Sequence, residues 1–579
     1  MASRKLTRLT RVVLASVLIS GLAGCASLGG FGQGSRETTA LGDYVAARHA
    51  VAVNDPKTAA KYFDAALADD GDNVLVLDQA LSTATSAGEM SRAVSLARRV
   101  IKLAPDHRMA RLILSLNDIR NGDYAEAHQE IGSAQSGVFM ALVGALTQTW
   151  ASAGAGDKAA ALASLKTFED KPAFDLFRTY HTALVLDLLG DAEGARKAYR
   201  EAMDASGGGS IRIVEGYASF LSRQGESDKA IAVMKAFVAI SPRHPIALAD
   251  LKALETGKPM APVVASAADG IAEALYGLGS ALSQERGSDL AIIYLRLAIW
   301  MRPDFDVANT LLADTYEEQK LWQFAVDAYG KVGRSSPLYE NARIQSAIDL
   351  NRLDKQAEAI AMLQALAKDD PNSIEPYVAL GDIYRAKEKY AEAAEQYTHA
   401  LAVAGKEKRE HWTLYYALGI CNERLGNWPV AEANLKHALK LSGEHPLVLN
   451  YLGYSWIEQG THLDEALAMI EKAVSLRPTD GFIVDSLGWA HYRLGEFEQA
   501  VEYLERAVEL QPDDPTINDH LGDALWQVGR RIEARFQWRH ALELKPEEDQ
   551  VAIIREKLEF GLTAPKTIAA PESKPANGS

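Results

Sequence analysis

One spacing governs this chain. The stretch DSLGWAHYRLGEFEQAVEYLERAVELQPDD (485–514) aligns with NDHLGDALWQVGRRIEARFQWRHALELKP (518–546) position by position. Leu487-Gly488 falls on Leu521-Gly522, Gly495 on Gly529, Ala500 on Ala534, Ala507 on Ala541 and Pro512 on Pro546, each 34 residues apart. Followed backward, the residue after the Leu falls at Gly453, Gly419, Gly381, Ala347, Ala313 and Gly279, then at Ala218, Ala183, Thr149, Ser115, Leu81 and Ala47. A second alanine recurs at Ala59, Ala93, Ala127, Ala161, Ala195, Ala230, Ala291, Ala325, Ala359, Ala393, Ala431, Ala466, Ala500 and Ala534. A fixed period of this length marks a stacked array in which each unit buries its apolar face only against its neighbours.

The residue types at that spacing describe a helical hairpin. Gly or Ala is required where two antiparallel helices cross closely. Larger side chains such as Phe63, Tyr199, Tyr329, Tyr397 and Leu504 fill the adjoining spaces. Pro105, Pro242, Pro303, Pro337, Pro371, Pro478, Pro512 and Pro546 end the second helix and turn the chain. The expectation is an all-α solenoid of about fourteen helix pairs. The step from Ala218 to Gly279 is 61 residues, 27 more than one repeat. The excess lies at 245–271 and reads either as a joint between an N-terminal segment (40–244) and a C-terminal segment (272–548) or as an excursion within one superhelix. A polar helix over 549–561 would cap the last repeat, and the tail 562–579 is disordered by composition.

The pattern resembles the tetratricopeptide repeat, whose signature is a Leu-Gly pair, a Gly, two spaced alanines and a closing Pro. That family binds its partners on the concave face, at roughly the second, fifth, ninth, twelfth and thirteenth positions of each repeat. In the C-terminal repeats these positions hold Tyr416, Asn450, Tyr454, Asp485, Trp489, Tyr492, Arg493, Asp519, Asp523 and Trp526. Carboxylates, amides and rings suit a peptide, with polar groups holding its backbone and rings burying its side chains. The alternative is that the rings pack between helices and the acids are merely solvated. Asp485, Trp489 and Tyr492 share one helical face, and Asp519, Asp523 and Trp526 repeat the arrangement.

The N-terminus carries an address. MASRKLTRLTRVVLASVLISGLAGC begins basic, continues with an apolar run too short for a membrane span, and ends in Leu22-Ala23-Gly24-Cys25. This resembles the lipobox of bacterial lipoproteins, which implies removal of residues 1–24 and acylation of Cys25; the alternative is an ordinary secretory signal that holds a cysteine. Several acyl chains suffice for stable anchoring. Ala26 in place of Asp implies the outer membrane, facing the periplasm, and 25–39 reads as a Gly/Ser-rich tether.

The formal net charge of −16 disfavours nucleic acid. Thirteen histidines show no metal-ligand spacing, and the Gly run at 205–210 lacks the context of a phosphate loop. Cys421 lies mid-helix and reads as a packed thiol. The expectation is therefore no enzyme, no metal and no cofactor. A lipobox followed by this array is similar to the large tetratricopeptide-repeat lipoproteins of proteobacteria. Some of these are adaptors that bring cell-wall (peptidoglycan) hydrolases to a carboxyl-terminal processing protease. The implied role is a membrane-anchored, protein-binding scaffold; the alternative is a scaffold for envelope assembly or polysaccharide export.

Overall fold

The computed structural model describes residues 39–132, 138–284, 287–562 and 567–568. Cys25, the expected signal sequence, most of the expected tether and all of the tail beyond Leu562 except Thr567 and Ile568 lie outside the described residues. The described chain is helical throughout and forms fourteen antiparallel pairs with two single helices, Pro245–Glu255 and Glu548–Phe560. Each pair crosses where the sequence has its small residues. A Cβ on Gly488 would meet Leu504 Cγ at 2.6 Å, one on Gly419 would meet Leu435 at the same distance, and one on Gly522 would meet the Trp538 ring at 2.4 Å. Glycine is thus a packing requirement at these crossings.

Helix ends follow local rules. Asp480 caps the helix Gly481–Leu494 by accepting from the Ile483 N–H, and Gly495 closes it in the left-handed conformation at φ 82°. Asp514 caps Pro515–Gln527 in the same way, with Pro515 at the first helical position. In several pairs the first helix also touches the first helix of the next pair, as Pro446–Gln459 touches Gly481–Leu494. The first helices therefore line the inner side of the array.

The chain divides into two compact units, one ending at Ala308 and the other beginning at Asn309. The expected joint at 245–271 falls inside the first unit. There Pro245–Glu255 packs on the preceding helix Ser227–Ile240 as an unpaired extra helix. The connection that follows is tied down by Ser219 Oγ donating to the Ala261 carbonyl at 2.7 Å and the Met260 N–H donating to Ser222 Oγ at 3.0 Å.

Candidate functional site

The inner face of the first unit is filled by its own chain. The pair Ala267–Gln284 and Ser288–Met301 has regular repeat geometry, with Gly279 tight against Leu295. It packs on the inner helices Val74–Ser86, Arg108–Asn121, Val138–Gly154 and Asp175–Leu188. One side of its first helix is made of small residues, and the inner helices meet them with rings. A Cβ on Gly270 would lie 2.1 Å from the buried Trp150 ring, and one on Gly277 would lie 3.0 Å from Phe177. Trp150 donates its indole N–H to His181 Nδ1 at 3.3 Å. Burial holds His181 far below the usual imidazole range, at about 3, so the ring stays neutral. On the second helix of the pair, the Trp300 ring lies under the Arg120 guanidinium, 5.1 Å from it.

An ionic lock fixes this pair. Glu273 is 3% exposed and pairs with Arg212 through two hydrogen bonds, one of them 3.2 Å from Nε. Arg212 also reaches Glu215 at 2.5 Å. Arg302 donates to the Val263 carbonyl at 3.1 Å, and the guanidiniums of Arg212 and Arg302 both lie over Phe305. The inner surface of the first unit is therefore core, closed by apolar packing and a buried charge pair.

In the second unit the ten residues expected to line the groove are placed as follows. Trp489 is 5% exposed and stacks between Tyr492 and His520, with centroids at 4.7 and 4.0 Å, while its indole N–H donates to Glu458 at 2.8 Å. Tyr492 is fully buried. Asp485 is buried and accepts from His520 Nδ1 at 3.0 and 3.1 Å. Burial pulls the His520 pKa down, but Asp485 above all, with Asp519 and Asp523, outweighs it and leaves the ring above its ordinary value. Asp519 and Asp523 are buried around Lys557 Nζ, at 2.7 and 2.8 Å. Asp523 also accepts from Trp538 Nε1 at 2.9 Å. Burial, and then the charge of Asp519, pushes Asp523 up to about 6. Tyr416 packs edge-on against Tyr451, Asn450 donates to Ser486 Oγ at 3.1 Å, and Tyr454 is half-buried. Arg493 pairs with Glu458, and Trp526 sits against Trp538 with Arg531 and Arg535 over its ring.

This corrects the two-rung ladder expected from Asp485, Trp489 and Tyr492 and from Asp519, Asp523 and Trp526. Those residues do share the inner face. However, the three carboxylates are buried and paired, and the two rungs form internal packing. Asp519 and Asp523 are covered by the capping helix Glu548–Phe560, whose Lys557 reaches back to the last inner helix, and Asp485 and Trp489 are covered by the neighbouring repeats through His520 and Glu458. Position within a repeat selects a face, but does not say whether a later helix covers it.

An open surface lies earlier in the second unit. The inner helices Tyr339–Arg352 and Glu375–Ala386 enclose a pocket of about 450 Å³ lined by Asn341, Ile344, Ile348, Asn351, Val378 and Asp382, among others. Ile344, Ile348 and Val378 are half-buried and form an apolar floor, while Asn341, Glu375 and Asp382 are exposed around it. Asp382 is held by Tyr397, whose hydroxyl donates to it at 2.7 Å. Ile344, Ile348 and Asn351, and likewise Val378 and Asp382, occupy the same repeat positions as the ten residues named from sequence, while Asn341 and Glu375 stand at the second position of their repeats. These repeats carry the same positional signal without its conspicuous aromatics. Behind this pocket Asp349 and Glu317 face each other from consecutive inner helices, with Arg352 3.0 Å from Asp349. Burial, followed by the charge of Asp349, pushes Glu317 up to about 7. Among the described residues no group of His, Cys, Asp or Glu is placed to hold a metal ion, and no helix is long and apolar enough to cross a membrane.

The geometry agrees with the comparisons. Residues 378–433 and 423–481 match the tetratricopeptide repeat family, and 488–529 match a further TPR repeat family. TPR repeat-containing protein PA4667 of Pseudomonas aeruginosa is 27% identical over 192 residues, 33% of this chain. The match spans 32% of that protein's length. Among solved structures, the Cut9–Hcn1 hetero-tetramer of the APC/C is similar at 15% identity and TM-score 0.37, covering 89% of this chain and 96% of that one. Yeast Tom70 is similar at 15% identity and TM-score 0.35, covering 90% and 95%. The chain is an all-helical array of helix pairs in which residues 378–481 and 488–529 match tetratricopeptide repeats, a scaffold fold suited to binding other proteins.

Proposed function

We propose that this chain is a non-catalytic, protein-binding adaptor that holds a partner segment on the inner face of its second unit, at the pocket between Tyr339–Arg352 and Glu375–Ala386. The observation that carries this reading is the contrast in cover. The first unit's inner face is consumed by its own helix pair, whereas this pocket presents an aliphatic floor with a polar rim to solvent. Such a floor takes aliphatic side chains, and the rim amides and carboxylates hold the partner's backbone. The lipobox at Cys25 supports an acylated form on the periplasmic side of the outer membrane. The likeness to adaptor lipoproteins supports a partner set of a carboxyl-terminal processing protease and peptidoglycan hydrolases.

Crosslinking capture from membranes, with identification of what is bound, tests this reading. It is run on the wild type, on Ile348→Asp and on Cys25→Ser. The expected result is a protease and hydrolases captured by the wild type and lost with Ile348→Asp. Cys25→Ser should lose fatty-acid label and leave the membrane fraction. Undiminished capture by Ile348→Asp would remove the pocket, and retained label in Cys25→Ser would remove the anchor.

A further inference from the structure

An α-helix leaves its last carbonyls without partners inside the helix. In Gly481–Leu494 the Tyr492 and His491 carbonyls accept from the Gly495 and Glu496 N–H groups. The Arg493 carbonyl accepts instead from the Ile568 N–H at 2.8 Å, a residue beyond the capping helix. Two side chains of that segment settle over two cap glycines. Ile568 Cγ2 lies 3.6 Å from where a Cβ on Gly460 would be, and Thr567 Cγ2 lies 3.9 Å from where one on Gly495 would be. Both glycines are left-handed, at φ 69° and 82°, and close consecutive inner helices. Ile568 is half-buried and joins the core cluster that contains Leu452, Trp456 and Ile470. The Arg493 side chain is engaged with Glu458.

We propose that Gly460, Gly495 and the Arg493 carbonyl form a seat for an extended, β-branched segment, and that the chain's own Thr567–Ile568 fills this seat in competition with partner segments of the same chemistry. The seat has three parts. A helix-end carbonyl offers one main-chain hydrogen bond, the two cap glycines lie within van der Waals reach of the segment, and the core edge beneath takes one aliphatic side chain. A partner needs a free backbone N–H at a β-branched aliphatic residue, in extended conformation, so Ile or Val fits and Pro does not. The seat is separate from the Ile344–Val378 pocket, and the inference does not depend on the adaptor reading.

The test uses the full-length chain and a fluorescent peptide of residues 563–575. The Ile568 amide should exchange hydrogen more slowly in the intact chain than in the free peptide. The peptide should bind the Ile568→Asp chain and bind the wild type more weakly, because the wild-type seat is occupied. A peptide carrying Ile568→Asp should bind that chain about tenfold more weakly or worse, as expected when a buried Ile is lost. Ile348→Asp in the inner pocket should leave peptide binding unchanged, which separates this result from failure of the adaptor reading. An Ile568 amide that exchanges at the free-peptide rate, or a peptide that binds both chains equally or neither, would overturn the proposal.

Discussion

The inner faces of the two units are built from the same repeat yet end in opposite states. In the first, the rings of Trp150 and Phe177 meet Gly270 and Gly277 on a resident helix pair, and Arg212 locks Glu273. In the second, Ile344, Ile348 and Val378 face an open pocket, while Trp489 and Tyr492 are covered. The difference shows that a repeat's inner face is defined by what later packs on it. Aromatic rings on that face mark the covered regions, and modest aliphatic residues mark the open one. An aromatic ring left bare to water would expose a large apolar area, so covering it contributes most to stability.

The lock in the first unit carries the largest expected effect. Arg212→Ala leaves Glu273 buried beside Arg302 at 3.9 Å as its remaining cation. Breaking one partner of a buried pair costs about 3–5 kcal/mol. Denaturant unfolding should show that loss, together with deprotection of Ala267–Met301 in hydrogen exchange. A change confined to 211–223 with the helix pair still protected would mean that the lock does not hold the pair. The counterpart in the second unit is Lys557→Ala, which strands Asp519 and Asp523. Its cost should be large at pH 8 and smaller at pH 5, because Asp523, already pushed up to about 6, can take a proton in place of the lysine.

Gly270→Ala is the next step down. The added Cβ would lie 2.1 Å from Trp150, and overpacking of this kind costs about 1–3 kcal/mol. The corresponding change in the open region, Ile344→Ala, removes half-buried surface only and should cost about 1 kcal/mol or less. Equal thermal shifts for the two variants would erase the contrast between the faces.

A pH dependence sharpens the comparison further. Glu317 and Asp523 lie above their ordinary carboxylate values, and His520 lies above its ordinary imidazole value. A group whose folded pKa is raised contributes stability that is complete below its unfolded pKa and is lost as pH rises through the folded one. For Glu317 that loss runs up to about 7, for Asp523 up to about 6, and for His520 it follows above 6.5. The lowered carboxylates Glu407, Glu432 and Glu533 act in the opposite sense, but their contribution is already complete above 4.5. The second unit should therefore be less stable at pH 8 than at pH 5, and Glu317→Gln should flatten part of that slope. A slope left unchanged by Glu317→Gln would remove Glu317 from the explanation.

The helix pairs were legible because close crossing dictates its residues locally. Gly279 had to be small against Leu295, and it falls on the repeat register even in the pair that fills the first groove. Where that pair packs was not legible, since Gly270 meets Trp150 and Gly277 meets Phe177 from distant parts of the chain. The same limit applies to Asp519 and Asp523, whose partner Lys557 belongs to a helix recognised as a cap but not as a source of charge. Repeat positions correctly put Asp485, Trp489 and Tyr492 on the inner face. The pocket at Ile344 and Val378 obeys the same positional rule, but its aliphatic residues carry no ring that distinguishes them in sequence from core.

Thiol accessibility measures the central contrast directly. Ile344→Cys and Ala274→Cys place one probe on the open pocket and one in the buried first helix of the resident pair. The native Cys421 is buried, with its thiol pushed up to about 11 by that burial, and gives a quiet background. Under native conditions, maleimide labelling followed by mass mapping should modify position 344 rapidly and position 274 only after unfolding. Labelling of both positions at similar rates in the folded protein would contradict the account.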